Sequence, residues 1–304
     1  MHIPGLYDDR YGYPGNFPLY KCPDCGHLFL ECNFTTDQLV ELYTDYYPRK
    51  SFDLAQYKPH IGASGLSAWF NGVDRSAFRS VPKNVRVLDV GCGFGQSLGY
   101  HAARGCDVYG VEADENIRRV AEKFGFKVHV GLFAPSIYEP DFFDYVTMDQ
   151  VIEHVVDPLT TFQGIAQILK PGGTAILSTP NANGWGAKVF CRRWINWHAP
   201  YHVQFFSRQS MKIAAAQAGM AVVEARTITG SEWLYYQWIH LLMYPNAGEP
   251  SKFWSLRNEK RTTQQRLVLK VLAIMHRAKI NHLLTRLFDS LGWGDNYKFV
   301  LRKL

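Results

Sequence analysis

A loop with glycine at every second position is the first stretch of this sequence that could do chemistry. Residues 87–100 read VLDVGCGFGQSLGY, so Gly91, Gly93 and Gly95 follow an apolar run and precede a helix-like one. Glycine permits a tight turn and leaves bare backbone against which a ligand can lie. The third glycine of the dinucleotide pattern GxGxxG would fall where Gln96 stands, and no Gly-Lys-Ser/Thr phosphate loop follows. Taken alone, the loop is also compatible with a purely structural turn.

Two acidic residues accompany the loop. Asp89 ends the apolar run before it, and Glu112 ends the next apolar run, 21 residues after Gly91. A carboxylate in the second position can accept hydrogen bonds from both ribose hydroxyls of a nucleoside. The spacing suits NAD or S-adenosylmethionine. A pyrophosphate would favour the missing glycine, whereas a sulfonium cofactor without phosphate would favour Asp89 near its charged amino-acid end.

Apolar, β-branched runs alternate with helix-like stretches from residue 85 onward. This alternation is typical of βαβ units around a buried parallel sheet. The predicted strands are 85–90, 107–112, 127–130, 143–148, 174–179, 221–229 and 297–302. The predicted helices are 96–104, 114–124, 158–169 and 207–218. Residues 1–60 are rich in Tyr and Pro, lack this rhythm and are interpreted as a separate small unit.

Four segments stand in the order of a known set of motifs. VLDVGCGFGQS, VYGVEAD, FDYVTMDQVIEHVVDP and LKPGGTAILSTPNANG resemble those of class I S-adenosylmethionine-dependent methyltransferases, over residues 83–230. The resemblance implies an α/β, Rossmann-like fold with a seven-stranded sheet whose last strand is antiparallel. It also implies S-adenosylmethionine at the carboxyl ends of the first strands. The cofactor-binding residues it implies are Asp89, Gly91, Gly93, Gly95, Glu112 at the ribose, Ala113 beside adenine, Phe133 in place of an acidic adenine contact, and Gln150.

Polar residues after the fourth predicted core strand form the candidate acceptor site. The family places substrate-facing residues here, where this chain has Gln150, Glu153 and His154, and the loop WHAPYHVQFFS adds His198 and His202. Methyl transfer is an in-line displacement, so the enzyme mainly positions the acceptor and removes a hydroxyl proton. Histidine suits that role because its pKa lies near neutrality. We therefore predict His154 or His202 as the catalytic base, with Glu153 orienting it.

Two alternatives remain for these polar residues. Glu153, His154 and His202 have the types of a metal site, with Gln150 as an outer ligand. A similar Glu-x-x-Glu-His arrangement with a distant His occurs in RNA 3′-terminal 2′-O-methyltransferases, although Gln150 replaces the first Glu here. The other alternative is that these side chains only cap helices and satisfy loop backbone.

A CxxC knuckle lies near the start of the chain. Cys22 and Cys25 stand in YKCPDCGH, which is typical of half a zinc ribbon. The segment resembles the N-terminal zinc-binding module of methyltransferases from bacterial sugar and glycan biosynthesis clusters, in which a further CxxC precedes it. We therefore consider a zinc site on Cys22, Cys25 and Cys32, completion by His27, a vestigial knuckle, or a start that omits the other half.

The basic charge is concentrated at the other end of the chain. Residues 252–304 contain twelve Lys/Arg and three Asp/Glu, within a chain of net charge +6. A predicted helix over 264–280 places Arg266, Lys270 and Arg277 on one stripe beside a broad apolar face. Such a face normally packs on the core or on a partner subunit. The alternative is peripheral contact with a membrane. A nucleic-acid partner is disfavoured because no exposed aromatic residues lie between these basic residues.

These observations predict a domain order and a function. We divide the chain into the CxxC segment 1–60, the cofactor-binding core 61–230, a helical basic insertion or lid 231–296, and the last core strand 297–304. With 47% hydrophobic and 20% charged residues, no secretory leader and no long apolar run, we expect a cytoplasmic protein whose oligomeric state is open.

The predicted activity is O-methylation of a sugar or glycan intermediate of bacterial cell-surface polysaccharide synthesis. One alternative is a small aromatic or quinone precursor in an apolar pocket of Trp233, Tyr235 and Trp238. An RNA acceptor is a further alternative, as is a non-catalytic assembly or membrane-tethering module.

Overall fold

A computed structural model describes residues 3–32, 34–47, 53–60, 66, 69, 76–254 and 261–304. Its strands are β1 Ile3–Leu6, β2 Phe17–Lys21, β3 Leu28–Leu30, β4 Arg86–Val90, β5 Asp107–Glu112, β6 Lys127–Val130, β7 Phe143–Asp149, β8 Leu169–Pro180, β9 Gln204–Phe205, β10 Met220–Ile228 and β11 Asn296–Lys303. Its α-helices are α1 Thr36–Glu41, α2 Gln96–Ala102, α3 Ile117–Phe124, α4 Pro158–Ile168, α5 Trp185–Phe190, α6 Arg208–Gln217, α7 Ser231–Leu242, α8 Thr263–Arg277 and α9 Ile280–Ser290.

The larger sheet has seven strands in the order β10-β11-β8-β7-β4-β5-β6. β4 pairs in parallel with both β5 and β7, whereas β11 runs antiparallel to β8 and β10. The predicted seven-stranded α/β sheet with an antiparallel last strand is confirmed. The chain leaves β4 towards β5 and later returns to β7 on the other side, so the strand order reverses at β4. In open α/β sheets, ligands bind at such a switch point, beyond the carboxyl ends of the strands.

Burial explains why these strands read as continuous apolar runs. Leu88, Phe143 and Leu177 on three neighbouring strands are fully buried, and Phe162 and Ile165 of α4 pack in the same core. Side chains that are covered on both faces of a parallel sheet need no polar alternation. The core strands therefore start and end within about two residues of the predicted ones, except that β8 begins at Leu169.

A second sheet joins the upstream segment to the core. Its order is β1-β2-β3-β9, and β9 comes from the loop before α6. Leu28 of β3 pairs with Phe205 of β9. Leu19 packs in one apolar cluster with Trp194 and Tyr201, which precede β9. The first part of the chain thus shares a core with residues 182–205 instead of forming a core of its own.

The insertion between β10 and β11 is helical, as predicted. A capping box starts α8, in which the Gln265 backbone donates to Thr262 Oγ1 and the Thr262 backbone donates to Gln265 Oε1. The apolar face of this helix does not pack on the core of this chain, and the expected packing on a partner subunit stays a prediction. No residue of α8 is buried, and Leu267 and Ile274 are each 63% exposed. No helix in the described ranges has the length and hydropathy to cross a bilayer.

Candidate functional site

The glycine loop connects β4 to α2 and leaves an open surface. Gly91, Gly93 and Gly95 have φ values of 74°, 55° and 73°, which L side chains rarely adopt. A Cβ atom on Gly91 would collide with Val151, so this glycine is required for packing below the loop. A Cβ atom on Gly93 would meet no heavy atom within 4 Å. The backbone at Gly93 therefore faces space that a ligand can fill.

Glu112 joins this loop to the end of β5. Its carboxylate accepts hydrogen bonds from the backbone N–H of Gly93 at 2.8 Å and of Asp114 at 2.9 Å. An ionised carboxylate offers about four lone-pair positions, so acceptor capacity remains for the two hydroxyls of a ribose. Ala113 follows directly and is exposed. These residues fit the nucleoside half of S-adenosylmethionine in the arrangement that the sequence predicts.

Asp89 supports the loop from below. It is buried, and both carboxylate oxygens accept hydrogen bonds from protein hydroxyls, one from Ser97 and one from Thr147 at 2.6 Å. Burial raises the pKa of Asp89 to about 6, although these two hydrogen bonds oppose the shift. The resemblance places Asp89 beside the methionine part of the cofactor. In the structure its oxygens fasten α2 and β7 to the end of β4, and its contact with the cofactor stays a prediction.

Two further residues predicted for the cofactor lie at the rims of this area. Phe133 is partly buried and packs beside Gly164 of α4. Gln150 follows β7 with φ +58°, a left-handed conformation that is uncommon for residues other than glycine. Its backbone N–H donates to Ser178 O and its side chain donates to Ser178 Oγ, both at 3.0 Å. These contacts turn Gln150 towards β8, on the acceptor side.

The upstream segment contributes residues that the motifs did not indicate. Tyr57 donates from its hydroxyl to Gly95 O at 2.8 Å, and its ring lies 4.5 Å from that of Phe124. The His60 backbone donates to Gln96 O at 3.1 Å. Residues 53–60 therefore cover one side of the glycine loop. Sequence reasoning missed them because no spacing links this Tyr-rich stretch to the loop.

A pocket of about 50 Å³ opens beyond the carboxyl ends of β7 and β8. Its wall combines polar groups with one exposed indole: Ser76, Asp149, Gln150, Ser178, Asn196, Ile228, Gly230, Trp233 and Asn296. The apolar pocket proposed from three aromatic residues is only partly correct. Trp233 lines the pocket, but Tyr235 stacks on His276 at 4.8 Å and Trp238 donates to Asn281 at 3.1 Å.

Asp149 is the acidic member of this pocket. The Ser178 hydroxyl donates to one of its carboxylate oxygens, and the Ala77 backbone N–H donates to the other at 3.2 Å. Asp149 directly precedes Gln150 at the end of β7, so its position in the third of the four motif segments was a signal that the sequence prediction did not use.

Glu153, His154 and His202 meet beside the pocket, as predicted. The two imidazole rings are 4.6 Å apart, and one nitrogen or oxygen atom from each of the three residues lies within 4.8 Å of the others. Nδ1 of His154 bonds Tyr201 O and Nδ1 of His202 bonds Asn196 O, each at 2.9 Å. Because carbonyls only accept, we assign the protons to Nδ1. Both Nε2 lone pairs are then free to accept a proton or to bind a cation.

Burial sets the charge state of this cluster. It raises the pKa of Glu153 to about 8 and lowers the pKa of His154 to about 4, and the nearby Arg10 charge also lowers the latter. The pKa of His202 is lowered well below its usual range for the same first reason. Neither Glu153 oxygen has a hydrogen bond of normal geometry to a described residue. The Thr179 hydroxyl lies beside the Glu153 carboxyl group. All three side chains of the cluster are therefore uncharged near pH 7.

The cluster and the pocket are neighbours but do not merge. Glu153, His154 and His202 are absent from the described pocket wall, whereas Asn196 belongs to it and also accepts the His202 hydrogen bond. An acceptor in the pocket would thus reach His202 across Asn196. The alternative that these side chains only cap local backbone explains the two Nδ1 bonds and leaves the Glu153 carboxyl without a role.

The structure does not bring Cys22, Cys25 and Cys32 together as a described ligand group, and zinc at the knuckle stays a prediction. Cys22 and Cys25 lie in a tight turn, with the Gly26 N–H donating to Cys22 O at 3.0 Å. Cys32 packs against the apolar cluster of the smaller sheet. His27 pairs through Nε2 with Gln204 at 2.6 Å. Among the residues that the structure describes, no group of three potential metal ligands includes these cysteines.

Comparisons with known proteins agree with this geometry. Residues 65–225, more than half of the chain, match the family model of a methyltransferase domain. Ubiquinone biosynthesis O-methyltransferases of Leptothrix cholodnii and Xanthomonas campestris are 35% and 36% identical to this chain over 107 and 116 residues. Those matches cover 33% and 36% of this chain and 46% and 48% of the relatives, so the chain spans about half the length of the curated relatives it matches.

The solved structures that resemble parts of this chain have low sequence identity to it and TM-scores below 0.5. An S-adenosylmethionine-dependent methyltransferase from Archaeoglobus fulgidus is 17% identical with a TM-score of 0.44, covering 75% of this chain and 88% of that one. Phosphoethanolamine N-methyltransferase 2 of Haemonchus contortus is 20% identical with a TM-score of 0.46, covering 74% and 50%. By its motif series, its sheet order and the family match, the chain belongs to the class I S-adenosylmethionine-dependent methyltransferases.

Proposed function

We propose that this protein methylates a hydroxyl group of a small phenolic acceptor, such as a quinone precursor. The observation that carries the proposal is the placement of the Gly93–Glu112 cradle and the Asp149–Trp233 pocket at the same edge of the sheet. The names of the curated relatives support the phenolic acceptor over the sugar or glycan intermediate that the sequence favoured. A pocket wall that combines an indole with polar groups also suits a ring that carries hydroxyls.

Different residues of the site would bind the cofactor, orient the acceptor and remove its proton. S-adenosylmethionine, when bound, supplies an electrophilic methyl group and leaves as S-adenosylhomocysteine. Glu112 would hold the ribose hydroxyls and Gly93 would let the nucleoside lie against its backbone. Trp233 and the polar pocket wall would orient the acceptor for in-line attack. Nε2 of His154 or His202 would accept the hydroxyl proton, since both imidazoles are neutral near pH 7 and keep a lone pair there. Burial lowers both pKa values, so each imidazole is a weaker base than a solvent-exposed histidine.

The acceptor class is tested by offering the protein one substrate of each class in separate incubations. Protein and methyl-labelled S-adenosylmethionine are incubated with 3,4-dihydroxybenzoate, or with a nucleotide sugar at equal concentration. Under the proposal, the label appears on a phenolic oxygen. Transfer to the sugar alone would replace the phenolic acceptor, and no cofactor turnover with either class would favour a non-catalytic role.

Replacing Trp233 tests the acceptor pocket. We expect Trp233→Ala to raise the KM for the phenolic acceptor roughly 3- to 10-fold, because contact with an aromatic face contributes about 0.5–1.5 kcal/mol. The affinity for S-adenosylmethionine, measured by calorimetry, should not change. Tyr235→Ala is the matched control, since Tyr235 stacks on His276 outside the pocket wall. An equal KM increase in both variants would mean that α7 acts as a whole and that Trp233 makes no specific contact.

A divalent cation on Glu153, His154 and His202 is the second candidate for this site. Metal-binding histidines usually donate their other ring N–H to a backbone carbonyl, as Nδ1 of both histidines does here, and the Glu153 carboxyl would supply a third ligand. A cation would deprotonate Glu153, bind both Nε2 atoms and could polarise the acceptor hydroxyl.

Titration with Co²⁺ tests this candidate. One ion is expected to bind per chain. His202→Asn should weaken binding at least about 10-fold, because the new amide still donates a hydrogen bond to the carbonyl oxygen of Asn196 but offers no counterpart of the Nε2 ligand. The double variant Cys22→Ser/Cys25→Ser should bind Co²⁺ as the unaltered protein does. If the cysteine variant loses the ion and the histidine variant keeps it, the metal belongs to the knuckle, and the histidines retain only the proton-acceptor role.

A further inference from the structure

The helical pair α8–α9 carries an exposed apolar surface. Leu267, Val271 and Ile274 are 63%, 49% and 63% exposed, and their spacing places them on one face of α8. The chain turns at Lys279, where φ is +64°, and α9 repeats the pattern. On α9 and the turn that follows, the exposed apolar residues are Ile280, Leu283, Leu287, Leu291 and Trp293, each 40–55% exposed. Each of the two helices therefore exposes a row of large apolar side chains along one face, and such exposed apolar faces mark interaction surfaces.

Basic residues flank this face, and no acidic residue in the described part of the chain pairs with them. Arg266, Lys270 and Arg277 lie on one side of the apolar face of α8, within one helical turn of Leu267 or Ile274. The sequence has no Asp or Glu between residues 261 and 281. None of these three bases, nor Lys279, forms an ion pair with a described residue. The surface therefore combines exposed leucine, isoleucine and tryptophan with uncompensated positive charge.

The helix does not need its apolar face for its own attachment. Its opposite side is held to α7, where His276 stacks on Tyr235, and its start is fixed by the Thr262–Gln265 capping box. The apolar face of α8 is thus presented outward by a formed helix, and it remains available to a partner.

We propose that α8 and α9 bind the protein to the surface of an anionic lipid bilayer. A helix with Leu, Ile and Trp on one face and Lys and Arg beside it inserts its apolar side between lipid headgroups, and its bases pair with anionic lipids. Charge complementarity selects this partner over a second copy. In a symmetric dimer the same surface of both chains would form the interface. The basic residues of one chain would then lie against those of the other and repel them. Nucleic acid would leave the aliphatic side chains without a role.

Vesicle flotation tests the proposal on the full-length protein. We expect the protein to float with vesicles of phosphatidylglycerol, to remain largely unbound with phosphatidylcholine, and to lose binding as salt is raised. The apolar variant Leu267→Ser/Ile274→Ser and the charge variant Arg266→Glu/Lys270→Glu should each reduce partitioning at least about 10-fold, since each base near the surface contributes about five-fold on its own.

Matched variants elsewhere on the surface provide the controls. Val223→Ser removes an apolar side chain that is 53% exposed on β10, and Lys212→Glu reverses an exposed charge on α6. Both should float like the unaltered protein, and all variants should keep their affinity for S-adenosylmethionine. The proposal is overturned if the protein ignores anionic vesicles, or if the controls lose binding equally. It is also overturned if Leu267→Ser/Ile274→Ser dissociates a dimer seen by sedimentation without changing lipid binding.

Discussion

Glu112→Ala is expected to weaken the binding of S-adenosylmethionine at least about 100-fold. The carboxylate fixes the glycine loop through Gly93 N–H and has further acceptor positions for a ribose. Each hydrogen bond to a charged group contributes about 1.5–3 kcal/mol, and two of them correspond to a factor of 100 or more. Calorimetric titration with S-adenosylmethionine and S-adenosylhomocysteine gives the dissociation constants directly.

The controls for this experiment separate recognition from folding. Glu112→Gln keeps the shape and one acceptor oxygen, so its loss should be intermediate. Glu122→Ala removes an exposed carboxylate from α3, on the element that follows β5, and should bind both ligands normally. Unchanged affinity in Glu112→Ala, with an unchanged thermal midpoint, would mean that the nucleoside is held elsewhere and that Glu112 only orders the loop.

The core of the fold was predictable because its signals are local. Each buried strand is a short apolar run, and the strand-loop-helix transition at Gly91, Gly93 and Gly95 needs positive φ values that glycine alone adopts at little cost. The same local logic placed Glu112 correctly, because the end of β5 lies next to the end of β4 in a parallel sheet. Position along a strand was therefore enough to bring these groups together.

The rest depended on contacts between distant parts of the chain. Nothing in the spacing of Tyr57 indicates that its hydroxyl reaches Gly95 O, and the pairing of β3 with β9 joins residues about 175 positions apart. Cys32 was assigned as a ligand from its closeness to Cys25 in sequence, but β3 carries the chain away from the knuckle between them. The sequence left the apolar face of α8 open between a core, a partner subunit and a membrane, because an amphipathic pattern does not indicate which surface covers it.

Replacing either histidine beside the pocket is expected to abolish turnover while cofactor binding persists. We expect His154→Asn and His202→Asn to lower kcat by about 10²- to 10⁴-fold, the usual contribution of a positioned proton acceptor. Asn was chosen because its amide N–H can replace Nδ1–H towards Tyr201 O or Asn196 O, whereas it has no counterpart of Nε2. Single-turnover rates with the phenolic acceptor and calorimetry with S-adenosylmethionine measure the two effects separately.

The Asn variants distinguish a chemical role from a structural one, which alanine would not do. If the imidazoles only satisfy backbone carbonyls, the Asn variants keep those bonds and retain normal rates. Normal rates in both would then make Asp149 the next proton acceptor to test, because its carboxylate lines the pocket that the histidines only border. Loss of turnover in His202→Asn but not in His154→Asn would place the reacting hydroxyl on the Asn196 side. Asn196 is the one residue shared by the described pocket wall and the histidine hydrogen bonds, so proton removal by His202 requires the acceptor to lie against it.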